Sequence, residues 1–418
     1  MADLGIRRED KNEWERRVPL TPKHVEILVR EQGHRVIVQP SDIRIFPDDD
    51  FRHAGARVED DLSACRAIVG VKEMPAEMLV PGPSYLAFFH VIKGQAYNMP
   101  LLRQALDQGV TLLDYEPIVD SSGQRLVFFG RHAGYAGMID GLWALGQRLA
   151  QEGVASPLQK VRRAFAYDTV EDARATIAQE VGREIREHGI DAASHPLVIG
   201  FTGSGNVSQG AQEVLDELPV VEIAPEDLAT LLGKEELSRH SVYKVAFRRQ
   251  DRADFARFLP YLTMLVNGIY WEEGHPRLVT RADAERLWAT PEGPKLKVLA
   301  DLSCDIAGSI EVTVRTSTNG DPVYVYSPAT GRETSGVAGH GPVVLAVDNL
   351  PAELPRSASR WFGDSLLPLM PSLIAADLSR PIDQLTLLPE LQRAVITHQG
   401  RLTPAFQYLD EFVSAQGV

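Results

Sequence analysis

The stretch Leu197-Val198-Ile199-Gly200-Phe201-Thr202-Gly203-Ser204-Gly205-Asn206-Val207 decides the fold. A short apolar run of this kind reads as a strand buried on both faces. Val207, Ala211, Val214, Leu215 and Leu218 follow at helical spacing, so Gly203-Ser204-Gly205 occupies a strand-to-helix turn. Glycines there let the backbone approach a pyrophosphate at the positive end of the helix. Ser208 stands where the third glycine of the dinucleotide fingerprint belongs, with Gly210 displaced, and a plain turn is the alternative. Glu222 closes the next apolar run, Val220-Val221, the position from which an acid meets the adenosine ribose hydroxyl. An acid there repels a 2′-phosphate and points to NAD; a surface glutamate without a role is the alternative.

Upstream, the same alternation opens the chain. Leu4-Gly5-Ile6 reads as a strand, Thr21 caps a helix with Pro22 at its first position, Val25, Leu28 and Val29 form its apolar stripe, and Gly33 ends it. Val36-Ile37-Val38 is the next strand, and residues 48–54 suggest a short helix. Two further runs each end in a cationic group: Ala67-Ile68-Val69-Gly70-Val71 before Lys72, and Leu86-Ala87-Phe88-Phe89 before His90. With one more strand from Val110 to Asp114, parallel order is expected throughout. Lys72 and His90 would then share the sheet edge where open α/β sheets bind ligands.

At 418 residues the chain exceeds a single hydrophobic core. Residues 1–132 read as a substrate domain, Rossmann-like and completed by 340–418; 133–195 as an interdomain helix and connector; 196–339 as the dinucleotide-binding domain. The fold class is α/β, two Rossmann-like domains with parallel sheets and an active-site cleft between them. From Ala133 to Leu149 a helix-length segment carries Gly134, Gly137, Gly141 and Gly146. Each glycine costs a helix roughly 0.5–1 kcal/mol relative to alanine, so close packing against another backbone is the expected compensation. Pro-rich helical segments from Leu350 to Leu373 are expected to pack back on the first domain.

A net charge of -14 argues against nucleic acid and against an anionic membrane surface as partners. A cationic pocket within an acidic protein still draws in small anions. Cys65 and Cys304, the two cysteines, stand in no metal-ligand spacing, and neither a disulfide framework nor a metal is expected. The N-terminus is charged from Arg7 to Arg17, and no apolar run approaches the ~18 residues of a membrane span; the reading is a cytoplasmic protein.

If Lys72 and His90 share a crevice, the lysine's charge lowers the His90 pKa and leaves the ring exchanging protons near neutrality. Taken singly, a solvated lysine and a structural histidine are the alternatives. Arg17, in Glu15-Arg16-Arg17-Val18-Pro19, can fork onto a substrate carboxylate, although spacing alone pairs it with Glu15 at the surface.

Several motifs resemble one family. Lys72-Glu-Met-Pro75, Phe88-Phe-His-Val-Ile-Lys-Gly-Gln95, Glu15-Arg-Arg-Val-Pro-Leu-Thr-Pro22 and Asp348-Asn-Leu-Pro351 are similar to the lysine-forming saccharopine dehydrogenases. Phe201-Thr-Gly-Ser-Gly-Asn-Val-Ser208 and Val266-Asn-Gly-Ile-Tyr-Trp271 resemble the branch that forms the lysine-ketoglutarate reductase half of aminoadipic semialdehyde synthase. Alanine dehydrogenase is a more distant likeness. The resemblance runs from about Ile6 to Leu402. It implies that Lys72 and His90 are the catalytic pair and that Arg17 holds a substrate carboxylate. Lys11, Lys93, Gln95, Glu116 and Phe129 would line the substrate site, Glu116 meeting the α-ammonium of lysine. Gly203, Ser204, Gly205, Asn206 and Val207 would hold the cofactor, with Asp301 at the strand end beside the nicotinamide.

The activity implied is reductive condensation of L-lysine with 2-oxoglutarate to saccharopine by NAD(P)H. The resemblance implies NADPH where Glu222 points to NADH, and Gln124 stands where the NAD-dependent branch carries a basic residue. With no second dehydrogenase module after Val418, saccharopine is expected to pass to a separate protein; homo-oligomerisation is left open. The alternatives are an opine-type or alanine dehydrogenase-like reductase with another amine, or a non-catalytic NAD(P)-binding sensor. The intact Arg17, Lys72 and His90 set argues against the sensor.

Overall fold

The protein, seen in a computed structural model, is described over residues 2–231, 237–291 and 293–414. It divides into two units, Met1–Phe129 with Pro355–Val418, and Gly130–Leu354. In the first, six strands follow the sequence reading: β1 (Ala2–Ile6), β2 (Val36–Val38), β3 (Arg57–Val58), β4 (Cys65–Lys72), β5 (Ser84–Phe88) and β6 (Thr111–Asp114). They pair in parallel in the order β6-β5-β4-β1-β2-β3. Every residue of β2, β5 and β6 is buried, as a strand covered on both faces requires. Thr21 precedes the helix that begins at Pro22, and Gly33, at φ 75, follows its continuation.

The second unit opens with helix α1 (Gly130–Gln151) and carries eight described strands: β7 (Val198–Thr202), β8 (Val220–Ile223), β9 (Val242–Phe247), β10 (Met264–Asn267), β11 (Val298–Asp301), β12 (Val323–Ser327), β13 (Arg332–Ser335) and β14 (Val343–Leu345). Helix α2 (Asn206–Leu215) follows β7, and the strand order is β13-β12-β14-β11-β10-β7-β9-β8. Alternation along the strands feeds two cores: Ile199, Phe201 and Val266 join Leu142 and Val214, while Val198 and Leu265 join Phe255 and Leu278.

The chain then returns to the first unit with α3 (Pro355–Leu366), β15 (Val395–His398) and β16 (Arg401–Leu402). Phe362 and Leu366 of α3 enter the same core as Tyr85 and Leu113.

Three expectations need correction. Parallel order does not hold throughout, because β15 runs antiparallel to β6 and β16, and β12 runs antiparallel to β13 and β14. The returning segment begins at Pro355 rather than at 340, because Val343–Leu345 hydrogen-bonds to β11 in the second sheet. Nor is 133–195 a separate connector: α1 and the residues after it pack into the core of the second unit.

The glycines of α1 sit against neighbours as expected. A Cβ at Gly134 would overlap the carbonyl oxygen of Val207, and one at Gly146 would lie 2.5 Å from that of Leu158. Gly137 and Gly141 instead face the side chains of Leu302 and Met264. On α2, a Cβ at Gly210 would overlap the Arg131 carbonyl oxygen, so glycines on both helices bring the two backbones together.

Candidate active site

Parallel register sets Lys72, the last residue of β4, opposite Phe88, the last of β5; His90 follows two residues later. Its φ of 55 is a left-handed backbone that non-glycine residues seldom adopt. Two side chains hold it there. One oxygen of the buried Asp114 carboxylate accepts the amides of Phe89 and His90 at 2.9 and 3.0 Å, and the other accepts that of Glu116 at 2.8 Å. Asn98 donates to the His90 carbonyl at 3.2 Å. The His90 ring stacks on Phe88 with centroids 5.8 Å apart, and its Nδ1 lies 4.0 Å from Oε1 of Glu116.

The electrostatics follow from burial and a concentration of cations. Burial lowers the Lys72 pKa first, and the charges of Arg17 and Lys11 lower it further, against Glu15 and Glu73. Burial likewise lowers His90, and the charge of Lys72 adds to the effect against Glu116 and Glu73. The ring is thereby held neutral in the neutral pH range. For Glu73, burial acts upward, but the hydrogen bond from Lys11 at 2.9 Å, a backbone amide and nearby positive charge hold it below its usual value. Glu73 Oε2 and Gln95 Oε1 are buried acceptors with no hydrogen-bond partner among the described residues. Buried acceptors are rarely left so, which marks both as places for a donor from a ligand.

Arg17 is buried rather than superficial. Its Nε and Nη2 fork onto Glu15 at 2.7 and 2.5 Å, and its guanidinium lies 4.3 Å from the centre of the Phe129 ring, which stacks on Phe362 at 4.4 Å. Glu116 accepts Arg125 at 2.8 Å. Lys93 is exposed on the loop between His90 and Gln95. Lys11, Arg17, Lys72, His90 and Glu116 thus come together at one edge of the first sheet, joined by Glu73, which sequence reasoning passed over although it directly follows Lys72.

Asp114 and Asn98 were also missed, because their part depends on contacts made in space. Burial pushes the Asp114 carboxyl up to about 7, against the three amides it accepts. A folded-state value above the ordinary 3.8 means that its contribution to stability is complete below that pH and is lost as pH rises through about 7. Asp114→Asn is expected to flatten that part of the urea midpoint against pH and to lower kcat about tenfold as His90 loses its clamp; an unchanged kcat would remove Asp114 from the positioning of His90.

In the second unit, Gly203 has φ 88 and faces the Gly268 carbonyl, 2.8 Å from where a Cβ would sit. Gly205, just before α2, opens onto space with nothing within 4 Å of a Cβ. Ser204, Asn206 and Val207 complete the turn and first helical residues, and this open glycine turn before a helix fits a dinucleotide pyrophosphate. Asp301, at the end of β11, is 1% exposed and accepts Thr313 at 2.6 Å, Ser303 at 2.8 Å and Asn267 at 2.9 Å. Asn267 also accepts the Thr202 hydroxyl at 2.8 Å, so one polar web ties the ends of β7, β10 and β11. Glu222 is not beside the turn. The sequence reading placed it at the end of the next strand along the chain, but in the sheet β9 lies between that strand and β7, and Glu222 pairs with Lys244 at 2.6 Å.

Residues 5–136 match the family described as alanine dehydrogenase/PNT, N-terminal domain. The mitochondrial alpha-aminoadipic semialdehyde synthase of Rattus norvegicus is 36% identical across 98% of the chain, which spans 47% of that protein's length. The saccharopine dehydrogenase (NAD(+), L-lysine-forming) of Neurospora crassa is 30% identical across 88% of the chain and 91% of its own length. Among solved structures, an L-alanine dehydrogenase shares the fold, with a TM-score of 0.66 over 98% of this chain and 99% of that one at 20% identity. With the relationship to the Neurospora crassa enzyme extending over nearly all of both chains, this chain belongs to the family of L-lysine-forming saccharopine dehydrogenases.

Proposed function

We propose that the protein condenses the ε-amine of L-lysine with 2-oxoglutarate and reduces the product to saccharopine, reversibly, with a nicotinamide dinucleotide. The observation that carries this reading is the Lys72 and His90 pair at neighbouring strand ends, both with lowered pKa values, in a buried field of cations. Arg17, locked by Glu15 and lying on Phe129, supplies the charge that draws in a carboxylate of the oxoacid. Glu73 and Gln95 offer their unpartnered oxygens to an ammonium donor.

In the reductive direction, neutral His90 takes a proton from the ε-ammonium of lysine, and the freed amine nitrogen bonds to C2 of 2-oxoglutarate. After a proton passes from that nitrogen to the new alkoxide, protonated His90 gives its proton to the carbinolamine hydroxyl. The C–O bond breaks, water leaves and an iminium remains. A bound reduced nicotinamide supplies the hydride to the iminium carbon. Lys72 keeps the His90 pKa low enough for both proton transfers and counters the negative charge of the oxoacid.

Initial rates of NADH and NADPH oxidation with 2-oxoglutarate and L-lysine, ornithine, alanine or ammonia test the reading. Oxidation that depends on lysine is expected. Activity with another amine and none with lysine would reassign the substrate, and silence with every amine would point to a binding protein without turnover.

A further inference from the structure

The end of β4 departs from regular pairing just before Lys72. From Val69 to Lys72 that strand advances three residues while β5 advances two, from Leu86 to Phe88, so one extra residue bulges into β4. A bulge re-aims the side chains beside it and leaves backbone groups without a ladder partner. β1 ends at Ile6, and the Arg7 amide after it donates to the Val69 carbonyl at 3.0 Å. The amides of Val71 and Lys72 go to a side chain instead: Oε1 of Glu9 accepts the first at 2.7 Å and Oε2 accepts the second at 2.9 Å.

Three neighbours support this carboxylate. Gly70 leaves it room, since a Cβ there would lie 2.9 Å from the Arg7 side chain and 3.3 Å from Glu9 Oε1. Tyr115 donates its hydroxyl to the Gly70 carbonyl at 2.9 Å. Arg7 is 1% exposed; its Nη1 lies 3.9 Å from Glu9 Oε2 and donates to the Glu73 carbonyl at 3.1 Å. Lys72 is therefore held through its own amide and through the residue that follows it. The charges of Arg17 and Lys11 bear on Lys72, and their repulsion would carry a loosely held ammonium away. The arrangement repeats the one around His90, where Asp114 accepts the amides of Phe89 and His90.

We propose that Glu9 is a positioning residue for Lys72, its carboxylate fixing the bulged end of β4 so that the ammonium stays beside His90. This rests on the reading of Lys72 and His90 as the pair that serves saccharopine formation. Glu9 acts through the backbone of Lys72 and not on substrate, and the two members of the pair then owe their places to two separate buried carboxylates, one near the start of the chain and one at the end of β6.

Glu9→Gln tests the assignment, because it keeps the size of the side chain but sets an amide NH2 against one of the two backbone amides. Crystal structures of the unaltered chain and of this variant should show Val71 and Lys72 displaced by about 1 Å, with β4 unmoved up to Val69. At about pH 8, above the value of about 7 to which burial pushes the Glu9 carboxyl, kcat should fall about tenfold while the KM for lysine holds. In a Lys72→Met background the same change should cost less than about twofold, because the group it positions is gone. A general loosening of the fold would instead cost as much in either background. Tyr115→Phe frees the Gly70 carbonyl and runs the same comparison should Glu9→Gln fail to fold, with a smaller loss of the same kind expected. An unshifted strand end, or equal losses with and without Lys72, would overturn the assignment. Absence of lysine-dependent turnover in the unaltered chain would overturn the reaction instead, and the displacement of Lys72 would still decide what Glu9 holds.

Discussion

A His90→Ala variant is expected to lose roughly 10²- to 10⁴-fold in kcat for saccharopine formation while the KM values for lysine and 2-oxoglutarate change little. The ring stacks on Phe88 and its backbone amide is anchored independently of the side chain, so truncation should leave the loop in place. Weakened binding with unchanged turnover would sink the assignment. The partner variant reads the electrostatics. Burial, Lys72 and Lys11 all disfavour the imidazolium, so Lys72→Met removes the larger of the two charge effects and the His90 pKa rises towards its ordinary 6.5. The acid limb of kcat/KM, below which His90 is protonated and cannot accept a proton, should therefore move to higher pH. An unmoved limb would mean that the titrating group is not His90 or that Lys72 carries no charge near it.

The largest effect on stability is expected at Gly134. Alanine is the better helix former by about 1 kcal/mol, yet its Cβ would overlap the Val207 carbonyl oxygen and lie 2.8 Å from the Ala211 amide. Both obstacles are backbone, which cannot rotate away as a side chain can, so the steric cost wins. Gly134→Ala should destabilise the protein by about 2–3 kcal/mol, lowering the thermal midpoint by roughly 5–10 °C. Gly205→Ala is the contrasting case: at φ -80 with nothing within 4 Å of the new atom, the fold should tolerate it. Its penalty should fall on dinucleotide affinity instead. Equal midpoints for the two variants would show that contact between α1 and α2 does not limit stability.

Uninterrupted apolar runs made β2, β4, β5 and β7 legible, together with the sheet edge that carries Lys72 and His90. β9 was hidden because Lys244 sits in the middle of Val-Tyr-Lys-Val-Ala-Phe, and its burial depends on the acids across the strand. Missing β9 is what misplaced Glu222. β15 ends in Thr397 and His398, buried polar residues satisfied by Val110 and Thr111 across the sheet, a pairing no local pattern encodes. At the site, the spacing of Glu15 and Arg17 disclosed their pairing, while their burial came only with Phe129 and Phe362.

The first unit is assembled from two stretches of chain with the whole second unit inserted between them. On the ribosome, β6 emerges long before β15, and the Thr397 hydroxyl that bonds to Val110 arrives 287 residues later. Until the returning segment has been made, the β6 margin of the nascent sheet therefore lacks its antiparallel cover, and α3 is absent from the core it fills. The second unit is contiguous and can close first. Maturation of the half that holds Lys72 and His90 consequently waits for the returning segment, and the nascent chain is most exposed to strand-edge association in that interval.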